Sequence, residues 1–423
     1  MKKVYNNKNS KYHKNHKYPN YKNSNNNNNI DDNENEFIFN SEDDNKNEKE
    51  IPDWMKPETQ KIENVNKRFH QEIIDYADYI TPKGESLTIR QKTFELFNEI
   101  IKKYRPEWKI ALFGSSGQNT STVFSDLDFV IINDMEPQNN PDFDLKEMYN
   151  LMNFLKKEEF NNIRLVKARV PIIKATCMKT GINVDISMNK QNGCHAVTII
   201  RKILTKYTFL KPCIIILKIL ITKFNLNESH TGGMNSFLLF HLAYFLYVHK
   251  LNLKNNGEKN EYNPNKNESN ENNTIDNNNK DNDTSKANEI ENIINDTNDK
   301  SDNNNSINEN KKEETDKKEI NIGTFILYFL KYYGYEFDYE KYGLSLNDDN
   351  FGTIFIKEER TDMEFTKSIL AESIIEKGIN VGKGCFNYGK IVNLFKAAYN
   401  KIKSEKQKNT ISILHSLGFP SIK

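Results

Sequence analysis

Asp126-Leu127-Asp128 opens a run of apolar residues, Phe129 to Ile132, and a third aspartate, Asp185, is set among Ile182, Val184 and Ile186. Side chains alternate between the faces of a strand, so Asp126 and Asp128 share one face, and Asp185 takes one face of its own strand. Carboxylates packed this closely repel and need a cation to coexist. Upstream, Gly114-Ser115 ends the apolar stretch Trp108 to Phe113, and a turn this small lets backbone amides approach phosphate oxygens where a side chain would clash. Alone, each piece is ordinary: an Asp-x-Asp is usually a solvated loop and a Gly-Ser usually a turn. In the order Gly-Ser, Asp-x-Asp on an apolar strand, then a strand aspartate, they suit two Mg²⁺ ions, or Mn²⁺, that activate a hydroxyl, clamp a triphosphate and stabilise the leaving pyrophosphate.

These residues need a sheet behind them. The pattern predicts strands over Trp108–Phe113, Asp126–Ile132, Leu165–Lys174 and Ile182–Met188; Pro171 places the third of these at an edge or a bulge. Two helices precede the sheet. One carries the stripe Phe69, Ile73, Ile74, Tyr76, Ala77, Ile80, and the next carries Leu87, Ile89, Phe94, Leu96, Phe97, Ile100, Ile101, with the break at Thr81 to Gly84. Asp142–Glu159 is helical in pattern, and from Cys194 the chain turns helical throughout. The fold class that follows is α+β: a small mixed-sheet palm joined to a helical domain.

The apolar fraction of 36% is low for 423 residues, and two segments rich in Asn, Lys, Glu, Asp and Ser carry the deficit. Residues 1–52 and 252–319 cannot bury enough apolar surface to offset ordering, so both are expected to be disordered. The remaining chain divides into 53–80, a helix joining the helical domain; 81–195, the palm; 196–251 and 320–400, the two parts of the helical domain; and 401–423, a C-terminal tail. Lys plus Arg (60) and Asp plus Glu (59) cancel, so any basic surface must be local. Cys177, Cys194, Cys213 and Cys385 form no zinc or disulfide pattern, which points to a reducing compartment. The apolar run Ser236–His249 is too short to span a bilayer and the N-terminus has no signal-peptide stretch, so the expectation is a soluble intracellular protein with no membrane contact.

Phe113-Gly-Ser115 followed by Ser125-Asp-Leu-Asp-Phe129 resembles the signature of the DNA polymerase β-like nucleotidyltransferases. Within them the chain is similar to the noncanonical nuclear poly(A) polymerases of the TRAMP surveillance complex, the DNA polymerase sigma-like proteins. The residues that carry the likeness are Ala168 to Lys174, Gly181 to Ser187 with Asn192-Gly193, Leu217-Lys218, His230 to Gly233, the PAP-associated segment Gly323 to Gly334, and a closing motif Asn380 to Gly384 with Phe386-Asn387.

The resemblance implies an enzyme that adds adenylate to RNA 3′ ends. It matches Asp126 and Asp128 to the aspartates holding both metals, and Asp185 to the third ligand and base for the 3′-hydroxyl. Gly114 and Ser115 match the triphosphate turn, Asn192 the position that approaches the ribose, Lys218 the one that contacts phosphate, and Ser236 and Phe237 the base-contacting positions. A lysine in an apolar helix can also snorkel to solvent, and Phe237 can equally be a core residue. Two departures stand out: Thr222 replaces a second cleft lysine, and Ala371 to Ile374 replaces an acidic-Pro signature. The implied substrates are ATP and an RNA 3′ end; the implied partners are a zinc-knuckle RNA-binding protein and an RNA helicase, as in TRAMP; the implied residence is the nucleus. A terminal uridylyltransferase and an inactive RNA-binding scaffold remain as alternatives. Uridine-selecting relatives carry a histidine just before the asparagine of the closing motif, where this chain has Ile379.

Overall fold

A computed structural model of the chain describes residues 37, 39, 51–133, 141–166, 171–188, 191–255, 320–347, 352–360 and 368–422. Of the two segments expected to be disordered, 1–52 lies outside these residues except at Phe37, Phe39, Ile51 and Pro52, and 252–319 except at its first four positions.

The first long helix, α1 (Val65–Ile80), starts at Asn64, whose side chain accepts from the amides of Asn66 and Lys67 and so satisfies two of the donors a helix start leaves open. Then follow α2 (Gly84–Tyr104), β1 (Lys109–Leu112), a short α3 (Gly114–Gln118), β2 (Leu127–Ile132), α4 (Pro141–Leu155), β3 (Phe160–Val166), β4 (Ile172–Cys177) and β5 (Asn183–Met188). The five strands form one sheet in the order β1-β2-β5-β4-β3, with β2 and β5 parallel and the other pairs antiparallel. Leu127, Phe129 and Ile131 of β2, Ile173 of β4, and Val184 and Ile186 of β5 point into one core with Phe97 and Ile101 of α2 and Leu151 and Leu155 of α4. Alternation therefore sends Asp128, Lys174 and Asp185 to the opposite face.

One expected strand is two. Leu165–Lys174 divides into β3 and β4, and Pro171 stands just before β4, where its missing N–H costs no ladder bond. Because β4 pairs with both β5 and β3, it is internal and not an edge. The hairpin of β6 (Tyr342–Ser345) and β7 (Thr353–Ile356) lies in the region read as wholly helical.

The helical body contains α5 (Gln191–Lys206), α6 (Leu210–Lys223), α7 (Ser236–Asn255), α8 (Ile322–Lys331), α9 (Tyr388–Gln407) and α10 (Ile413–Ser416). At its centre is α6, whose run from Cys213 to Ile221 is buried apart from Lys218. Although it precedes the sheet, α1 packs on α6 and α8; a Cβ at Gly323 would stand 2.6 Å from Phe69, a measure of how closely α8 approaches α1. Residues 401–423 are not a tail. They hold the end of α9 and the whole of α10, and Leu414, Leu417 and Phe419 are buried against α1 and its neighbours. The sequence does not announce this because the partners lie some three hundred positions upstream: buried Glu72 of α1 accepts from Ser412 Oγ and from the amides of Ile413 (3.0 Å) and Leu414 (3.1 Å), capping α10.

His241 of α7 ties that helix to the segment before the closing motif. Its Nδ1–H faces the carbonyl of Phe237 (2.8 Å), and Nε2 accepts the amide of Ile374 (3.2 Å), an arrangement that needs the neutral ring. Burial pushes its pKa down to about 4. Since the folded pKa lies below the unfolded value near 6.5, the unfolded chain takes up a proton first as pH falls, and stability is lost between about pH 6.5 and 4. The expected loss is about 3 kcal/mol. Glu72, raised to about 7 by burial, works in the opposite sense over much of the same range. The check is therefore a comparison of urea midpoints against pH for the parent and His241→Gln. Identical pH slopes would show that His241 stays unprotonated for no energetic reason.

Candidate active site

The registers of the central strands decide how the acids meet. Asp128 of β2 pairs directly with Asp185 of β5, and Asp185 in turn with Lys174 of β4, so the three side chains form a row across one face of the sheet. Asp126 stands one residue before β2. Lys174 Nζ is 2.5 Å from Asp185 Oδ2. Burial works against the charge on Lys174, but the pairing with Asp185 raises its pKa.

Half-buried Asp128 has its pKa pushed up to about 7, first by burial and then by the charge of Asp185, against the pull of Lys218. Burial also raises Asp185 despite its lysine partner. Two neighbouring carboxylates that resist ionisation together are the signature of a site short of positive charge, and a divalent cation supplies it. Asp126, Asp128 and Asp185 thus fit as holders of Mg²⁺ or Mn²⁺ by charge and by donor type. Among the described residues no three His, Cys, Asp or Glu side chains are grouped to hold a metal ion, and Asp185 is paired with Lys174.

The sequence pointed to Gly114 for its size, and the structure gives the reason. At φ +51° its backbone lies in the left-handed region, and a Cβ there would stand 2.2 Å from Asp128 Oδ2. Gly114 and buried Ser115 begin α3 and do not form an open turn. Lys218 does not snorkel to bulk solvent: its Nζ is 3.2 Å from Ser125 Oγ, on the loop entering Asp126. Burial lowers its pKa, while Asp128 and Asp126 hold it up.

Ser236 is the first residue of α7, half-buried. Half-buried Phe237 packs edge-on to the His241 ring at 4.5 Å and against the helical core, so its ring is partly committed to packing and partly open. Asn192 falls in the first turn of α5, and its side chain lies outside the described residues. The closing motif folds against the His230–Gly233 turn: Asn387 donates its amide to Gly232 O (3.0 Å) and its side chain to Thr231 O (2.6 Å).

Two functional neighbours were missed. Lys174 sits in an apolar run like many edge lysines, and only the register puts it beside Asp185. Arg90 of α2 donates to the carbonyls of Thr122 (3.0 Å), Val123 (3.3 Å) and Ser125 (2.5 Å), holding the loop that delivers Asp126. No local spacing connects a helix residue at 90 with a loop at 125.

Two family descriptions match parts of the chain: "Poly(A) RNA polymerase, mitochondrial-like, central palm domain" over residues 69–205 and "Cid1 family poly A polymerase" over 321–371. Poly(A) RNA polymerase protein 2 of Saccharomyces cerevisiae is 25% identical over 385 residues, covering 89% of this chain and 51% of that protein. Poly(A) RNA polymerase cid14 of Schizosaccharomyces pombe is 32% identical over 188 residues, 44% of this chain and 27% of that protein. Over its palm and helical segments the chain is similar to noncanonical poly(A) polymerases. It spans about half or less of the length of these curated relatives. A solved polymerase core of TRAMP, an RNA surveillance complex, superimposes with a TM-score of 0.61 at 22% identity, covering 86% of this chain and 94% of that one, so the chain shares its fold. The palm match begins within α1, in keeping with the way that helix is built into the helical body. Among the described residues, no helix is long and apolar enough to cross a membrane.

Proposed function

We propose that this chain is a template-independent RNA 3′-end adenylyltransferase using ATP and two divalent cations, Mg²⁺ or Mn²⁺. The observation that carries the reading is the register of Asp128 beside Asp185, with Gly114 against Asp128 and Lys218 near Asp128 and Asp126. Asp126, Asp128 and Asp185 are the residues that would hold the cations, whose contribution is to neutralise charge on the triphosphate and to make the RNA 3′-hydroxyl more acidic. Asp185, its proton affinity raised by burial, would accept the hydroxyl proton, while Lys174 keeps the carboxylate in place. Gly114 leaves room for phosphate oxygens beside Asp128, and Lys218 offers a buried positive charge to the polyphosphate. Phe237 offers the base a stacking face that is indifferent to its identity.

Selection among bases then falls to edge contacts and pocket size. Ile379, immediately before Asn380, is 38% exposed and offers no hydrogen bond, so it cannot favour uracil as a histidine there would. We expect ATP to be preferred over UTP by about 10 to 200-fold, the range an apolar pocket reaches. Incorporation of each of the four nucleotides onto an oligo(A) primer, in Mg²⁺ and in Mn²⁺, is the measurement. UTP used as well as ATP in Mg²⁺ would replace the adenylyl reading with a uridylyl one. Partnership with a zinc-knuckle protein and a helicase, and work in the nucleus on RNA marked for decay, complete the proposal by likeness to the TRAMP polymerase core. Co-purification of the tagged full chain from nuclei tests both.

A further inference from the structure

Behind the catalytic glycine, the far end of α3 opens onto a groove that the reaction above does not use. Gly114 begins α3 and Gln118 ends it, a separation of about 6 Å along the helix. Two adjoining hollows of about 500 and 350 Å³ share Arg201 and Thr205; the first runs along α5 past Lys202 and Lys206, and the second reaches Gln118 and Lys211 at the start of α6.

Several cations on the walls of this groove have no carboxylate partner among the described residues. Arg201 and Lys202 are exposed and have no carboxylate partner among the described residues. Among the described residues, the ammonium of Lys206 meets the Tyr207 ring, 5.1 Å away, and no carboxylate. The acid that acts on Lys211 is Asp78, itself paired with Lys83. In a chain whose charges otherwise cancel, a run of unpaired cations on one helix face marks a surface for an anion.

The second observation is independent of charge. Gln118 is only 6% exposed, lines the groove, and makes no side-chain hydrogen bond among the described residues. Its amide atoms still reach the solvent of the groove, where a ligand can meet them. Its NH₂ and carbonyl together can donate to a phosphate oxygen and accept from a ribose hydroxyl.

We infer that this groove binds the sugar-phosphate backbone of single-stranded RNA, with Arg201, Lys202 and Lys206 on the phosphates and Gln118 on a ribose-phosphate unit. The assignment builds on the RNA substrate of the proposed function and extends it to a groove at the far end of the short helix that Gly114 begins. Cations aligned along a helix bind backbone without reading bases, as a tail-adding enzyme requires of the RNA it holds.

The test is equilibrium binding of a labelled oligo(A) RNA to the full chain, by fluorescence anisotropy in EDTA and without nucleotide, over a range of salt. Arg201→Glu/Lys202→Glu reverses two exposed charges, and Gln118→Glu puts an anion at the groove wall. Lys156→Glu/Lys157→Glu changes net charge equally on an exposed palm turn. The groove variants are expected to bind about tenfold more weakly or worse, and the first, which removes two phosphate contacts, to lower the slope of log affinity against log salt by about 1.4. Groove variants that bind as the parent does, or a control that loses as much as they do, overturn the assignment. So does a groove that takes inorganic phosphate, lost in the variants, while RNA affinity stays unchanged. Because no chemistry is needed, a parent chain that binds RNA through these residues but extends none of it refutes the transferase and leaves the groove standing.

Discussion

Asp128→Ala and Asp185→Ala, each in the full chain, are expected to reduce nucleotide addition by on the order of 10³-fold or more, because each removes charge stabilisation worth several kcal/mol in the transition state. The pair Asp126→Ala/Asp128→Ala should do the same. Loss of activity alone would not separate a missing ligand from a damaged fold, but Asp128 provides a readout that does. With burial and Asp185 holding its pKa near 7, above its unfolded value, the ionised carboxylate opposes folding when no metal is present. Metal-free stability should therefore fall as pH rises from about 4 through about 7. Asp128→Asn removes that penalty, so in EDTA at pH 8 it should melt higher than the parent while adding no nucleotides. Tailing assays and thermal melts on the same preparation are the check. An Asp185→Ala protein with substantial activity, or an Asp128→Asn protein that melts lower, would sink the arrangement of acids described above.

Gly114→Ala should be nearly as damaging for a different reason. The new Cβ would stand 2.2 Å from Asp128 Oδ2 and 2.6 Å from its Cγ, so either the carboxylate or the start of α3 must move. Displacing a catalytic group by about 1 Å costs on the order of 10²-fold in rate. The backbone adds its own strain, about 1 to 2 kcal/mol for a residue with Cβ in the left-handed region. Gly84 separates the two effects: its φ is +49°, yet no atom lies within 4 Å of a Cβ built there. Gly84→Ala should cost stability only, whereas Gly114→Ala should cost stability and kcat/KM together. Equal and small effects on rate in both variants would mean that the glycine serves its turn and not the acid beside it.

Much of this site is local in origin, and that is why it was legible. Whether Asp128 and Asp185 emerge from the face opposite Phe129 and Ile186 follows from the two-residue period of a strand, which a sequence displays directly. The same holds for the buried run of α6, too apolar to lie anywhere but inside, and for Gly114, where any larger residue would have been suspect at the end of an apolar strand. Periodicity within a segment says nothing, however, about which segment lies beside it. Strand order and register are set by contacts between residues far apart in the chain, so the row Asp128, Asp185, Lys174 became visible only once β2, β5 and β4 were paired. Reading Pro171 as the mark of an edge or a bulge has the same root: the segment spans edge strand β3 and internal β4, and the proline's tolerance depends on the strand boundary. The hold of Arg90 on the Ser125 loop and the burial of Leu414 and Phe419 against α1 are likewise decided by distant partners. Local side-chain chemistry determined which residues could act; the tertiary fold determined which of them meet, because only packing brings positions 90, 114, 128, 174, 185 and 218 around one cluster of charge.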